Sequence, residues 1–369
     1  MMTPMRYILL VLSVIISIHY ITSFTYEEYG KATSISNIAE QWTGLKSNPL
    51  YKTPVPDEYC KPDSSMHLQD RRANTSIIVL VQNSELWGIM SSMKQLEDRF
   101  NRKFQYPYVF LNDEPFTQSF KHHIWALTNA TVEFSLIPSD HWHQPSWIDE
   151  ERASKSRDDM VKNDVIYGGR LSYSSKHTCS FFYQHELLQK YRYYWRVEPD
   201  IQLFCDSQTS TGFTISLYKF PTTIPMLWNT VKSFIDANPD LVTPGNTMEF
   251  LCDDGGESYS LCHFWGNFEI ADLDFWRGEA YSKFFDYLDE QGGFYYERWG
   301  DAPVHSIGAG LFAKKEQIHF FNDIGYRHDH FEHCLQGDVH TKGKCWCDPD
   351  KSVDYQVYSC LYQYDKLLL

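Results

Sequence analysis

Residues 76–83 read SIIVLVQN, an apolar run without polar alternation, the pattern of a strand covered on both faces. Leu86, Ile89, Met90, Met93, Leu96 and Phe100 follow at helical spacing, predicting a helix over 86–100. Residues 108–114 (YVFLNDE) and 132–138 (VEFSLIP) read as further strands, the first ending on Asp113 and Glu114. Strand, helix and strand at this spacing predict a βαβ unit with a parallel pair. Residues 186–191 read as the end of a helix that feeds another strand over 193–198. The class is α/β, and its ligands should gather outside the carboxyl ends of the strands.

The strand over 193–198 (YYWRVE) puts Tyr194, Arg196 and Glu198 on one face and Trp195 and Val197 on the other. Pro199 ends it and Asp200 follows as a turn acid. Arg196, two residues before Glu198 on the same face, is placed to hold that carboxylate ionised. A metal or substrate site at the strand's end fits this pattern, and so does a structural ion pair at a solvated turn.

Three later stretches embed ionisable and amide side chains among aromatics. Residues 262–276 carry His263, Trp265, Asn267, Glu269, Asp272 and Asp274; residues 292–306 carry Tyr296, Glu297, Arg298, Asp301 and His305; residues 318–331 carry Asp323, His328, Asp329 and His330. Acids and histidines in such surroundings are costly unless paired or used. Together with the 193–198 stretch they suggest one polar cleft walled by aromatic rings, suited to a sugar; an aromatic core with satisfied polar groups is the plain alternative.

Composition narrows the setting. Residues 7–24 (YILLVLSVIISIHYITSF) hold no charge apart from a possible one on His19, with Arg6 before them and Glu27 and Glu28 after. Length and flanking charge predict a transmembrane signal anchor over 7–24, a cytoplasmic tail over 1–6 and a lumenal body behind a stem over 25–75. A cleaved signal peptide is the alternative, and no small-x-small cleavage site follows the run. Sequons at Asn74 and Asn129 and nine cysteines suit an oxidising lumen. The chain of 369 residues has 33 basic and 48 acidic side chains, a net charge of −15. That argues against a nucleic-acid partner and means that a bound polyanion needs a local cation.

The strings YYWRVEPDIQLFCD, LCHFWGNFEIADLDFWR, GGFYYERWGDAPVHS and IHFFNDIGYRH, in this order, closely resemble the fungal Golgi α-1,2-mannosyltransferase family. VFLNDEPF and IPSDHWHQPSWID extend the likeness from about residue 76 to residue 333. The resemblance implies a GT-A-type single catalytic domain over 76–336 with a mixed, mostly parallel central sheet, anchored in the Golgi membrane as a single-pass type II protein, with a C-terminal tail over 337–369. It implies retaining transfer of mannose from GDP-mannose to a mannose-terminated glycan, with Mn²⁺ as cofactor. It carries metal-ligand roles to Glu198 and His328, the candidate nucleophile to Glu269 and a catalytic-cleft role to Asp301. Arg196, Asp113, Asn267, Trp265, Tyr296, Arg298 and His305 are expected to bind substrate. A divalent ion suits a leaving diphosphate, manganese accepts carboxylate with imidazole, and a carboxylate near the anomeric carbon can stabilise or attack it.

The chain departs from the family pattern in two places. Only SQTST separates Asp206 from Gly212, and RLSYSSKHTCSFFYQH over 170–185 lacks the family's usual arginine-rich string. These departures keep a catalytically weakened mannan-binding paralogue in view beside mannosyl transfer and mannosylphosphate transfer. Glu198 and Glu269 as a glycosidase pair, and a zinc site drawn from His328, His330, His333, Cys334, Cys345 and Cys347, are further alternatives. Cys345-Trp346-Cys347 has no counterpart in the resemblance.

Overall fold

In the computed structural model, which describes residues 72–163, 165, 182–205 and 212–368, the apolar run of residues 76–83 becomes strand β1, Thr75–Leu80. The chain continues through helix α1 (Leu86–Leu96), strand β2 (Tyr108–Asn112), helix α2 (Gln118–Trp125), strand β3 (Val132–Leu136) and helix α3 (Glu150–Lys162). Strands β4 (Tyr193–Arg196), β5 (Gln202–Leu203) and β6 (Ser216–Tyr218) precede helix α4 (Leu227–Ala237). Strands β7 (Cys262–Phe264) and β8 (Glu269–Asp272), helices α5 (Glu279–Glu290) and α6 (Asp301–Phe312), and the hairpin of β9 (Tyr326–His328) and β10 (Phe331–His333) follow.

The main sheet has the order β3-β2-β1-β4-β8. Its first four strands are parallel, and β8 runs antiparallel to β4. Alternation along the strands divides the core. Ile78, Val109, Leu111 and Tyr194 face a cluster with α4, α5 and α6, whereas Ile77, Val79, Phe110, Trp195 and Val197 face one with α1 and α2. Burial on both faces is why β1 and β2 read as continuous apolar runs.

Two predicted elements end differently. The helix expected over 86–100 is α-helical only to Leu96 and widens into a π-turn over Glu97–Asn101. There the buried Glu97 accepts hydrogen bonds from Tyr108 Oη (2.7 Å), Thr128 Oγ1 (2.9 Å) and Asn101 Nδ2 (3.1 Å). The helix end expected over 186–191 is one 3₁₀ turn, Glu186–Leu188, capped by His185 Nδ1, which accepts from the Leu187 amide at 3.2 Å.

The C-terminal residues, expected to form a tail, pack into the domain instead. Disulfides join Cys262 to Cys360, Cys205 to Cys345 and Cys334 to Cys347, and Leu361, Tyr364 and Leu367 are buried in the core. The physical cause is the apolar periodicity of the last residues and their cysteine pairs. Cys252 is a buried free thiol.

The expected tail (1–6), anchor (7–24), all of the stem up to residue 71, the departure at 207–211 and most of that at 170–185 lie outside the described residues. Among the described residues no helix is long and apolar enough to cross a membrane.

Candidate active site

Strand β4 delivers Arg196 and, two residues on, Glu198 to the carboxyl edge of the sheet. The arginine fork is shared. Nη2 donates to Glu198 Oε1 and Nη1 donates to Asp301 Oδ2. The Arg196–Glu198 pair anticipated from alternation is present; Asp301 as its second partner was not anticipated. Gly266 makes room: a Cβ there would lie 3.2 Å from Asp301 Oδ2 and 3.4 Å from Arg196 Nη1. Burial works against the Asp301 charge, but Arg196, with help from His305, outweighs it and holds the carboxyl below the usual aspartate range. Asp301 is the first residue of α6, where the helix dipole also favours an anion.

The other oxygen of Glu198 faces His328. Glu198 Oε2 and His328 Nε2 are 3.7 Å apart, and the ring of Trp265 stands edge-on to the imidazole with centroids 5.5 Å apart. His328 ends β9, and the two-residue turn after it puts Asp329 at φ 52° and leaves the His330 side chain exposed. His328 Nδ1 lies 2.8 Å from Asn267 Nδ2, while Asn267 Oδ1 is buried with no hydrogen-bond partner among the described residues. Turning the amide over satisfies that oxygen, because Nδ1–H then donates to Oδ1 and the Nε2 lone pair points toward Glu198. A metal-ligating histidine has this arrangement, its other ring nitrogen donating to a carbonyl oxygen. With bonds of about 2.1 Å, two ligands of one ion lie about 3.0 to 4.2 Å apart, so the Glu198–His328 gap fits a divalent cation.

Glu269 opens β8 directly opposite Arg196 in the antiparallel register. Its carboxylate is gripped from two sides. Tyr194 Oη donates to Oε1, and His305 Nδ1 lies 3.0 Å from Oε1 and 2.9 Å from Oε2. Trp276 Nε1 donates to Tyr194 Oη at 2.9 Å, and the indole stacks on the His305 ring, centroids 4.3 Å apart and planes 19° apart. Among the described residues His305 Nε2 is buried without a hydrogen-bond partner, while Nδ1 faces the carboxylate, the placement for an Nδ1–H that donates to Glu269. His305 and Asp301 lie one turn apart on α6, which brings both to the cleft.

Expected substrate contacts therefore divide. Arg196, Asn267, Trp265 and His305 are in the cluster, but what they touch is other protein groups. His305, expected to bind substrate, has its Nδ1 on the Glu269 carboxylate. Asp113, just beyond β2, is two strands from β4 and, among the described residues, makes no hydrogen bond to the cluster. Tyr296 is tied to the start of α3, its hydroxyl accepting from the Asp149 amide at 3.0 Å and its ring lying under Arg152 at 3.9 Å. Arg298 is exposed and lies close enough to the half-buried Lys219 to depress that amine's pKa further, after burial, which is the larger cause.

Sequence reasoning did not assign roles to Tyr194 and Trp276. Alternation placed Tyr194 on the face of Arg196 and Glu198, and that was the available signal. The Asp272-Leu-Asp274 pattern is a helix cap, with Asp272 Oδ1 accepting from the Asp274 amide at 2.9 Å. The zinc alternative is excluded by chemistry. Cys334, Cys345 and Cys347 are all disulfide-bonded and offer no thiolate, so the grouping of Cys334 and Cys347 with His340 is not a metal site.

Residues 25–368 match the protein family described as glycolipid 2-alpha-mannosyltransferase. The chain is 47% identical over 313 residues to glycolipid 2-alpha-mannosyltransferase 2 of Candida albicans, covering 80% of this chain and 68% of that protein. It is 44% identical over 352 residues to alpha-1,2 mannosyltransferase KTR1 of Saccharomyces cerevisiae, covering 89% of each. Among solved structures it is similar to core-mannan synthase A of Aspergillus fumigatus in its Mn/GDP form, at 41% identity and a TM-score of 0.74 over 80% of this chain and 85% of that one. It is also similar to the mannosyltransferase Ktr4p of S. cerevisiae in complex with GDP, at 37% identity and a TM-score of 0.76 over 81% and 82%.

Proposed function

The chain belongs to the glycolipid 2-alpha-mannosyltransferase family, and we propose that it is a retaining α-1,2-mannosyltransferase that moves mannose from GDP-mannose to a mannose-terminated glycan of glycoproteins or glycolipids. The observation that carries the reading is the pairing of two prepared groups on one sheet edge. Glu198 and His328 flank a cation-sized gap, and Glu269, opposite Arg196 in the ladder, is held by Tyr194 and His305.

Glu198 and His328 are the residues that would hold Mn²⁺, the ion named with GDP for the Aspergillus neighbour. When bound, that ion offsets the negative charge that develops on the departing diphosphate. Arg196 fixes the Glu198 carboxylate, and Asn267 fixes the His328 ring. Glu269 serves the positive charge that develops at the anomeric carbon, by shielding it or by bonding to it. Among the described residues its Oε2 has only His305 as partner, whereas Oε1 has both His305 and Tyr194, so Oε2 is the oxygen freer to approach the sugar. Asp301, kept anionic by Arg196, would accept a sugar hydroxyl. Asp113, Tyr296 and Arg298, which among the described residues are not hydrogen-bonded to these groups, are left for other parts of donor or acceptor. The anchor expected over 7–24 would place this chemistry in the Golgi lumen as a type II membrane protein.

The test is product analysis after incubating the full chain with GDP-mannose and methyl α-mannoside, with Mn²⁺ or with EDTA. An α-1,2-linked disaccharide that forms only with the metal, and not with Glu269→Gln, is expected. Absence of transfer under every condition, or metal-independent hydrolysis of mannobiose, would sink the reading.

A further inference from the structure

Cys345-Trp346-Cys347 takes no part in the site above, yet the fold invests in it. Cys345 is bonded to Cys205 and Cys347 to Cys334, so Trp346 is fastened to the domain through both neighbours. Its own amide donates to the Phe204 carbonyl at 3.3 Å. Despite this anchoring the side chain is 56% exposed. The indole stands edge-to-face against the buried Phe204, with centroids 4.8 Å apart and planes at 85°.

Trp346 forms one wall of an open groove of about 440 Å³, together with Gln95, Asp98, Arg99, Gln202 and Leu203. The size is that of a small-molecule site. Two of these groups have partners: Gln95 donates to the Ile201 carbonyl at 3.1 Å and accepts from the Leu203 amide at 3.0 Å, and Asp98 pairs with Lys94 and Arg102. The groove thus sets one flat apolar ring, its backbone fastened on both sides, beside amide, carboxylate and guanidinium groups.

A pyranose has the complementary chemistry, with an apolar C–H face to lie on the indole and hydroxyls around its rim for the polar groups. The core of a protein interface would be more apolar and poorer in charge, and a net charge of −15 disfavours nucleic acid. The groove also adjoins the candidate site through the small sheet, because Gln202 lies opposite Arg327 and Leu203 opposite Tyr326 in the ladder that ends at His328.

We propose that this groove is a second glycan-binding site, which holds mannose residues of an extended acceptor chain away from the reacting sugar. The proposal rests on the mannosyl-transfer reading for the identity of the sugar. Two measurements on the full chain separate the two ideas. In calorimetric titration with a linear α-mannohexaose, without donor, Trp346→Ala should lose a binding component that the wild type shows, and Trp346→Phe should retain part of it. In kinetics, Trp346→Ala should raise KM for mannohexaose about tenfold, equivalent to about 1.4 kcal/mol, and leave methyl α-mannoside kinetics unchanged.

Because Trp346 is exposed, the melting temperature should be unaltered, and a large fall would mark the residue as structural and overturn the proposal. Unchanged binding and unchanged KM for mannohexaose would overturn it too, as would a change of oligomeric state with no effect on the glycan. If the wild type binds mannohexaose through Trp346 but transfers to neither acceptor, the groove stands and the transferase reading falls.

Discussion

His305 and Trp276 lie ring on ring, their centroids 4.3 Å apart. Through Nδ1 of the imidazole and through Tyr194, to which the indole donates, both act on the carboxylate of Glu269. A carboxylate held this way cannot rotate freely, and a displacement of about 1 Å at a reacting group can cost about a hundredfold in rate. Tyr194→Phe and His305→Ala should therefore lower kcat by one to two orders of magnitude with little change in the KM for GDP-mannose. His305→Asn, which keeps a short donor, should recover part of the loss. Steady-state kinetics checks this, and an equal rise in KM without loss of kcat would assign both residues to binding instead.

The Arg196 fork serves two acids 103 residues apart, Glu198 and Asp301. Lysine offers one point charge in place of the fork and cannot satisfy both. Arg196→Lys should keep most of the fold and lose most of the activity. Arg196→Ala takes the guanidinium from two largely buried carboxylates and should cost about 3 kcal/mol of stability. Denaturant titration read beside activity distinguishes the two variants.

Asn267 is predicted to act through His328. Its removal should weaken Mn²⁺ about ten- to a hundredfold, the range for groups that orient metal ligands. Asn267→Ala should regain much of its kcat at saturating Mn²⁺, whereas Glu198→Gln should not. A Mn²⁺ titration of activity for each variant is the measurement, and an unaltered metal requirement in Asn267→Ala would remove the proposed role.

His263 gives the fold a pH dependence. Burial, reinforced by Lys219, pushes its pKa down to about 3. The unfolded chain binds the proton near pH 6.5, before the folded one does, so this stability is complete above that pH and is lost as pH falls toward 3. The slope approaches about 1.4 kcal/mol per pH unit. Urea unfolding at pH 7, 5.5 and 4.5 should show the loss, and His263→Gln should flatten it.

Local pattern was enough for much of the scaffold. The β-branched run near residue 76, the helical spacing of α1 and the alternation along β4 each depend on neighbours a few residues away. They named β1 and β2, set Tyr194, Arg196 and Glu198 on one face, and anticipated the Arg196–Glu198 ion pair. The aromatic stretches with embedded acids supply Glu269, Asp301 and His328 to one cluster, but local pattern could not say which side chains would pair with which. His305 has a sequence context like that of Asp301, and only its packing against Trp276 turns its ring toward Glu269.

By itself the sequence determined the α/β class, the strands that build the sheet edge and, through long shared strings, the family and its chemistry. Only the tertiary structure decided which charges meet. The antiparallel return of β8 puts Glu269 across from Arg196, the start of α6 supplies Asp301 and His305 together, and the β9–β10 turn aims His328 rather than His330 at Glu198. Cys262 and Cys360 find one another across 98 residues by the same means. Such partners lie too far apart in the chain for local periodicity to encode, and burial leaves each charged or polar group few alternatives to the partner that the fold presents.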